Sequence, residues 1–238
     1  MIFMSGHGMN RHLKRLAKSK AVPIPAKGRV YLKKPCAGAH AAAQSIGLST
    51  LLTSVLKIAD NNLQAKRLLS AGEILVDGRP VKDEAFGVGI MDVISIPKMK
   101  KNFRVVALKG ILRLLDISDA EALQKYCRVM NKTAVGKGKI QLNLHDGRCL
   151  LSSDSSISTG DSLKLSVPSQ KIESVIKLVP GATCYVFRGR HSGMLAKLKE
   201  VIIRPGSKPA DAVLTYEGGE FITLENYLFA VDDQFKVA

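Results

Sequence analysis

The chain has 238 residues, enough for one large domain or two to three small ones, and its 36 Lys and Arg against 20 Asp and Glu leave a net charge of +16. That excess calls for a polyanion, and nucleic acid fits better than an anionic membrane because the basic N-terminal segment has no large apolar face beside its cations. Trp is absent and aromatics make up 5%, which disfavours recognition by rows of stacked bases and favours readout of phosphates and shape.

The charge is uneven along the chain. The first 59 residues hold ten cations and no acid, Asp60 to Ala210 holds 25 bases and 14 acids, and Asp211 to Ala238 holds one base and six acids. The positive surface therefore belongs to the front and middle. Cys36, Cys127, Cys149 and Cys184 are too far apart for a C-x-x-C pair, and no His sits at finger-like spacing from one. They read as reduced thiols of a cytoplasmic protein without a metal. The uncharged run from Pro35 to Leu56 is too polar to span a bilayer.

Residues 1–44 read as a basic arm. Residues 1–8 are too short and polar for a signal segment and carry no cation, so a start at Met4 or Met9 is expected beside Met1. Pro23, Pro25 and Pro35 forbid a long helix, and dense like charge predicts an arm that orders only on its partner. A packed unit over 45–105 then opens with an amphipathic helix on Leu51, Leu52, Val55, Leu56 and Ala59, with Ser49 as N-cap. A second helix starts at Asn61 or Asn62 and stops at Gly72, with Leu63, Leu68 and Leu69 facing inward and Lys66 and Arg67 outward. The pair Asp77-Gly78 predicts a type I′ hairpin whose return strand lies at an edge because of Pro80, and Val93–Ile96 closes the unit as a strand.

Residues 106–173 read as a central β unit. Strands over 103–107 and 111–115 flank Lys109-Gly110, Ser118 to Glu121 forms a capping box, strands over 140–144 and 148–151 flank Asp146-Gly147, and another strand covers 162–167. Residues 174–238 carry further strands over 183–187, 198–203, 212–216 and 227–231. The fold class is thus α+β and multi-domain.

The window from Asn62 to Val81 sets a basic short helix beside a hairpin, an arrangement suited to gripping phosphates of folded RNA. It resembles the ribosomal-protein-four-type RNA-binding domain. Asn10 to Ala17, Gly89 to Ile96, Gln141 to Arg148 and Thr159 to Leu163 follow in the order found in the archaeal and eukaryotic small-subunit ribosomal protein four-e family, and the chain resembles that family from Met9 to Val231. It ends without the long basic tail of eukaryotic members, an archaeal length. Gly181 to Gly193 resembles a KOW motif, the core of a small five-stranded barrel, although Ala196 stands where the family usually has Gly and Val22 where it often has Trp.

The resemblance implies a structural component of the small ribosomal subunit, cytoplasmic and within the ribosome, with ribosomal RNA and neighbouring small-subunit proteins as partners. It implies no small-molecule substrate, cofactor or membrane. The expected phosphate ligands are Arg11, His12, Lys14, Arg15, Lys18 and Lys20 in the arm, Lys66, Arg67, Arg79 and Lys82 on the helix and hairpin, and Arg188, Arg190 and His191 on the KOW loop. Two rival readings are an RNA-modifying enzyme, which would need a catalytic domain beside the RNA-binding module, and a KOW-type transcription-elongation factor.

Catalytic motifs fail on spacing. Gly87-Val88-Gly89 lacks the third Gly of a dinucleotide loop, and Gly136-Lys137-Gly138-Lys139 lacks the leading Gly and the following Ser or Thr of a P-loop. His145-Asp146 offers metal ligands or an acid/base pair, but Asp146-Gly147 sits where a hairpin needs its turn. No nucleophile elbow surrounds Ser152 to Ser156.

Overall fold

The computed structural model describes residues 12–136, 138–206, 208–216 and 218–237. Among the described residues no helix is long and apolar enough to cross a membrane. The fold is mixed and mostly β, with few helices.

The N-terminal segment departs from expectation. β1 (Leu13–Lys14) pairs antiparallel with β2 (Tyr31–Leu32), and Val22 and Ile24 are buried in the main core. Leu112 donates its N–H to the Ala21 carbonyl at 2.8 Å, and Cys36 to that of Ala85 at 2.7 Å. The segment is therefore anchored to the core through Val22 and Ile24 and tied to it by these two hydrogen bonds, while much of its remaining length is exposed. The physical reason lies in the prolines: Pro23 and Pro25 hold the chain extended, which puts Val22 and Ile24 on one face two residues apart. Charge density and proline count outweighed that short alternation in the sequence reading.

β3 (Ile46–Gly47) leads into α1 (Leu48–Thr50), which begins one residue ahead of the expected cap and widens so that Leu56 donates to the Leu51 carbonyl at 2.9 Å. Leu48, Leu51, Leu52 and Ala59 are buried. α2 (Asn62–Ser70) is capped by the Asn61 side chain, which accepts the Gln64 N–H at 2.8 Å. Ala65 and Leu69, four apart, form its buried face, so Leu63 points outward and is 59% exposed, a correction to its expected inward position.

β4 (Leu75–Val76) and β5 (Arg79–Pro80) form the expected hairpin, with Asp77 at φ 50° and Gly78 at φ 69° as a type I′ turn requires. β6 (Gly87–Val88) pairs with β3. β7 (Val93–Ile96), β8 (Lys101–Leu108) and β9 (Ile111–Ile117) complete a five-stranded sheet in the order β5-β4-β7-β8-β9, with Pro80 on its edge strand. The expected boundary after residue 105 falls inside β8, so this sheet runs on to Ile117.

After α3 (Asp119–Ala122), opened by the Ser118–Glu121 capping box, β10 (Gln124–Ala134), β11 (Ile140–Leu144), β12 (Cys149–Ser152), β13 (Ser162–Ser166) and β14 (Ile172–Ile176) form a second sheet in the order β12-β11-β10-β13-β14. The boundary expected after residue 173 falls inside β14. Strand β10, absent from the sequence reading, pairs with β13 along its first half and with β11 along its second, with a register shift between Val129 and Asn131. That bulge breaks the period-two signal by which strands are read. A third sheet contains β15 (Thr183–Val186), β16 (Leu195–Ile202), β17 (Asp211–Tyr216), β18 (Gly219–Leu224) and β19 (Leu228–Ala230), in the order β18-β17-β16-β15-β19.

The first core reaches into the third sheet through Tyr185 and Phe229 and takes in Val231 and Phe235 beyond its last strand. The Tyr185 hydroxyl accepts the Ala107 N–H and donates to the Ala107 carbonyl, each at 2.7 Å. A smaller core lies under β10, β11 and β13, and another under β15 to β17.

Candidate nucleic-acid interface

α2 carries two cations outward because its buried stripe is so narrow. Lys66 and Arg67 follow buried Ala65 and precede half-buried Leu68, and both are exposed. Arg79 on β5 and Lys82 beyond it are exposed too. In the N-terminal segment Lys14 and Lys20 are exposed, and His12 leans against Tyr31 with ring centroids 5.7 Å apart. Arg188 and Arg190 stand exposed on the loop between β15 and β16, Arg188 with its guanidinium 5.3 Å from the Tyr227 ring. Among the described residues none of these eight Lys and Arg side chains has an acidic partner within ion-pair distance. Exposed cations without a carboxylate remain free to neutralise phosphates.

Lys20 and Arg188, far apart in sequence, line the same cleft of about 440 Å³, where the N-terminal segment meets the turn between β8 and β9 and the loop after β15. Phe187, Ala107 and Leu112 give that cleft apolar walls.

Three of the expected ligands stand differently, and a fourth is not described. Arg11 lies outside the described residues. Lys18 spends its ammonium on the Val22 carbonyl at 2.9 Å. His191 stacks on Phe221 with centroids 4.2 Å apart, so its ring face is occupied. Arg15 is buried: its Nε donates to the Arg29 carbonyl at 2.7 Å and its Nη1 to that of Pro25 at 2.9 Å. The expectation of an outward, freely available Arg15 is corrected by the wrapping of residues 25–29 around it.

A buried ionic cluster that no sequence motif announces lies at the junction of the first two sheets. The ammonium of Lys125, on β10, lies 2.7 Å from Asp77, 2.6 Å from Asp92 and 3.1 Å from Asp146. Arg148 adds a second cation against Asp77 at 2.5 Å and Asp146 at 3.2 Å. From the N-terminal segment His40 reaches Asp92 at 2.9 Å, crossing Gly89 so closely that a Cβ there would fall 2.3 Å from the imidazole. Asp92 also accepts the Gly89 N–H at 2.8 Å, and Asp77 the Val93 N–H at 3.1 Å.

Burial raises the carboxyl of Asp92, but Lys125 and His40 outweigh it and hold the group below its ordinary value. Asp146 is likewise lowered, its burial outweighed by Lys125, His145 and Arg148. Burial lowers Lys125, and Asp92 and Asp77 more than reverse this, so its ammonium stays charged. Burial and then Lys125 push His145 down to about 4. Asp77 goes the other way, its carboxyl raised by burial against the pull of Lys125. Asp77 and Asp146 thus serve both as turn residues and as buried partners of Lys125, a double use that their Asp-Gly dipeptides do not reveal. The available signal was Lys125 itself, a cation in strand alternation with Cys127 and Val129.

Cys127, His145 and Asp146 bring ligand atoms within 4.8 Å of one another. Lys125 already neutralises Asp146 there, and burial pushes the Cys127 thiol well up, so the donor set suits an ammonium better than a metal ion.

Residues 48–94 match the S4 domain and residues 99–172 match ribosomal family S4e. The chain is 40% identical over 221 residues to small ribosomal subunit protein eS4 of Methanocella arvoryzae, covering 92% of this chain and 93% of the relative. It is 37% identical over 241 residues to the eS4 protein of Methanocaldococcus jannaschii, covering 97% and 98%. The crystal structure of 30S ribosomal protein S4e from Thermoplasma acidophilum superimposes with a TM-score of 0.70 at 32% identity, covering 82% of this chain and 99% of that one.

Proposed function

We infer, from the premise that the chain belongs to ribosomal family S4e, that it is a structural constituent of the small ribosomal subunit and binds ribosomal RNA. It is a ribosomal structural protein and not an enzyme, as its relatives' identity over nearly the whole chain requires. Its place is the ribosome in the cytoplasm, among small-subunit RNA and neighbouring proteins.

The observation that carries the mode of binding is the set of exposed, acid-free cations on α2, the β4–β5 hairpin, the N-terminal segment and the loop after β15. Lys66 and Arg67 grip the RNA backbone, Arg79 and Lys82 extend the grip beside the hairpin, and Lys14 and Lys20 add contacts from the N-terminal segment. The third sheet is read as a KOW-type barrel, supported by its five antiparallel strands and by Arg188 and Arg190 on the connection from β15 to β16. Separate weak grips on one RNA gain affinity through effective concentration.

Sedimentation tests this reading. The chain, expressed with a small tag in an archaeal host, should travel with small subunits and leave them as salt rises, because each phosphate contact releases counterions. A chain that stays at the top of the gradient at low salt would refute it.

A further inference from the structure

Arg15 is 8% exposed, yet among the described residues its guanidinium meets no carboxylate within ion-pair distance. Its partners are carbonyl oxygens alone: Nε reaches that of Arg29 at 2.7 Å, and Nη1 those of Pro25 at 2.9 Å and Lys27 at 3.3 Å. The loop can close this far only because residue 28 is glycine. Gly28 has φ +134°, and a Cβ on it would sit 3.0 Å from Arg15 Cζ.

The guanidinium borders two adjoining grooves, of about 280 and 370 Å³, whose walls share Arg15, Thr53, Ser54 and Asp60. Lys27 and Arg29 line one groove and Lys57 the other. Among the described residues Asp60 is the sole acid in either wall, and its carbonyl accepts from Arg29 Nη2 at 3.3 Å. A buried cation compensated only by carbonyl dipoles is incompletely neutralised. A guanidinium with lysines at its rim matches a phosphate in shape and charge.

We propose that this groove is a phosphate-binding site with Arg15 as its floor and Lys27, Arg29 and Lys57 as its rim, filled in the ribosome by a phosphate of the RNA backbone. The source of that phosphate rests on the RNA-binding reading above; the site itself does not. Arg15 thereby couples folding of the 25–30 loop to RNA contact, a role distinct from that of the fully exposed cations on α2.

The test uses the full chain, a Lys27→Gln/Lys57→Gln double variant, and a Lys177→Gln/Lys208→Gln control that removes the same charge elsewhere. Both replaced pairs are exposed, so folding is preserved. Inorganic phosphate titrated into the 15N-labelled chain should give saturable shifts at Gly28, Arg29 and Ser54 and at Arg15 Nε–H, present in the control and weakened in the groove variant. With structured ribosomal RNA, the groove variant should lose about one to two units of log K against log salt beyond the control. Phosphate shifts with no difference in RNA slope would keep the site and assign it to a free phosphate compound. RNA that fails to bind the unaltered chain would refute the RNA reading while the phosphate titration still decides the groove. Absence of saturable shifts together with equal RNA slopes would overturn the proposal.

Discussion

Lys66 and Lys125 are the same residue type put to opposite uses. On the solvent face of α2, Lys66 is exposed and, among the described residues, has no acidic partner. At the junction of the first two sheets, Lys125 is 0% exposed and lies among Asp77, Asp92 and Asp146. The first charge is free to act on a partner molecule, and the second is consumed by the fold. A count of cations therefore overstates the RNA-binding surface of this chain: Lys125, Arg128 and Arg148 are among its 36 Lys and Arg but sit in internal ion pairs.

Removing the buried charge should produce the largest effect. Lys125→Met leaves three aspartates facing one another with only Arg148 and His40 nearby, and breaking a buried pair of this kind costs roughly 3–5 kcal/mol. Urea denaturation should show the loss; a stability within about 0.5 kcal/mol of the parent would mean that the junction is not fixed by this cluster.

A matched apolar change separates packing from charge. Leu69→Ala should cost roughly 2–5 kcal/mol, because Leu69 is fully buried. Leu68→Ala should cost less, since Leu68 is only half-buried. Equal costs at the two positions would place the buried face of α2 elsewhere.

Acid should loosen the junction before it touches α2. With His145 pushed down to about 4, the unfolded chain binds a proton between about pH 6.5 and 4 that the folded chain refuses. Stability is then retained above about pH 6.5 and falls by up to about 1.4 kcal/mol per pH unit down to about 4. Asp92 and Asp146, both lowered, extend the loss at still lower pH as their folded-state values are passed, while Asp77, raised by its burial, works in the opposite sense. In a pH series of urea melts, His145→Gln should flatten the upper part of this slope. An unchanged slope in the variant would remove His145 from the explanation.

The smallest stability effect belongs to the surface. Lys66→Ala and Arg67→Ala should each change folding stability by no more than about 0.5 kcal/mol, as thermal or urea melts will read, whereas a larger loss would give these side chains a structural role.

Local rules made much of this fold legible. Asn61, Gly72, Asp77-Gly78, Pro80 and the Ser118–Glu121 box act through their own neighbours, and each stands where its chemistry required. What escaped depends on partners distant in sequence. The burial of Val22 and Ile24 needs the core they enter, strand β10 divides its pairing between two others, and the carboxylates around Lys125 come from three separate turns. The exposed cations of α2 were readable because a helix period sorts them by itself, whereas Arg15 looked identical to its neighbours until the loop around Gly28 closed over it.

The salt dependence of RNA binding tests most directly whether the exposed cations carry the contact. Filter binding of structured small-subunit RNA should show that Lys66→Ala and Arg67→Ala each reduce the slope of log K against log salt by about one unit, with cognate and non-cognate RNA weakened alike. Unchanged slopes and affinities in both variants would contradict a phosphate grip by α2 and move the contact to another face of the protein.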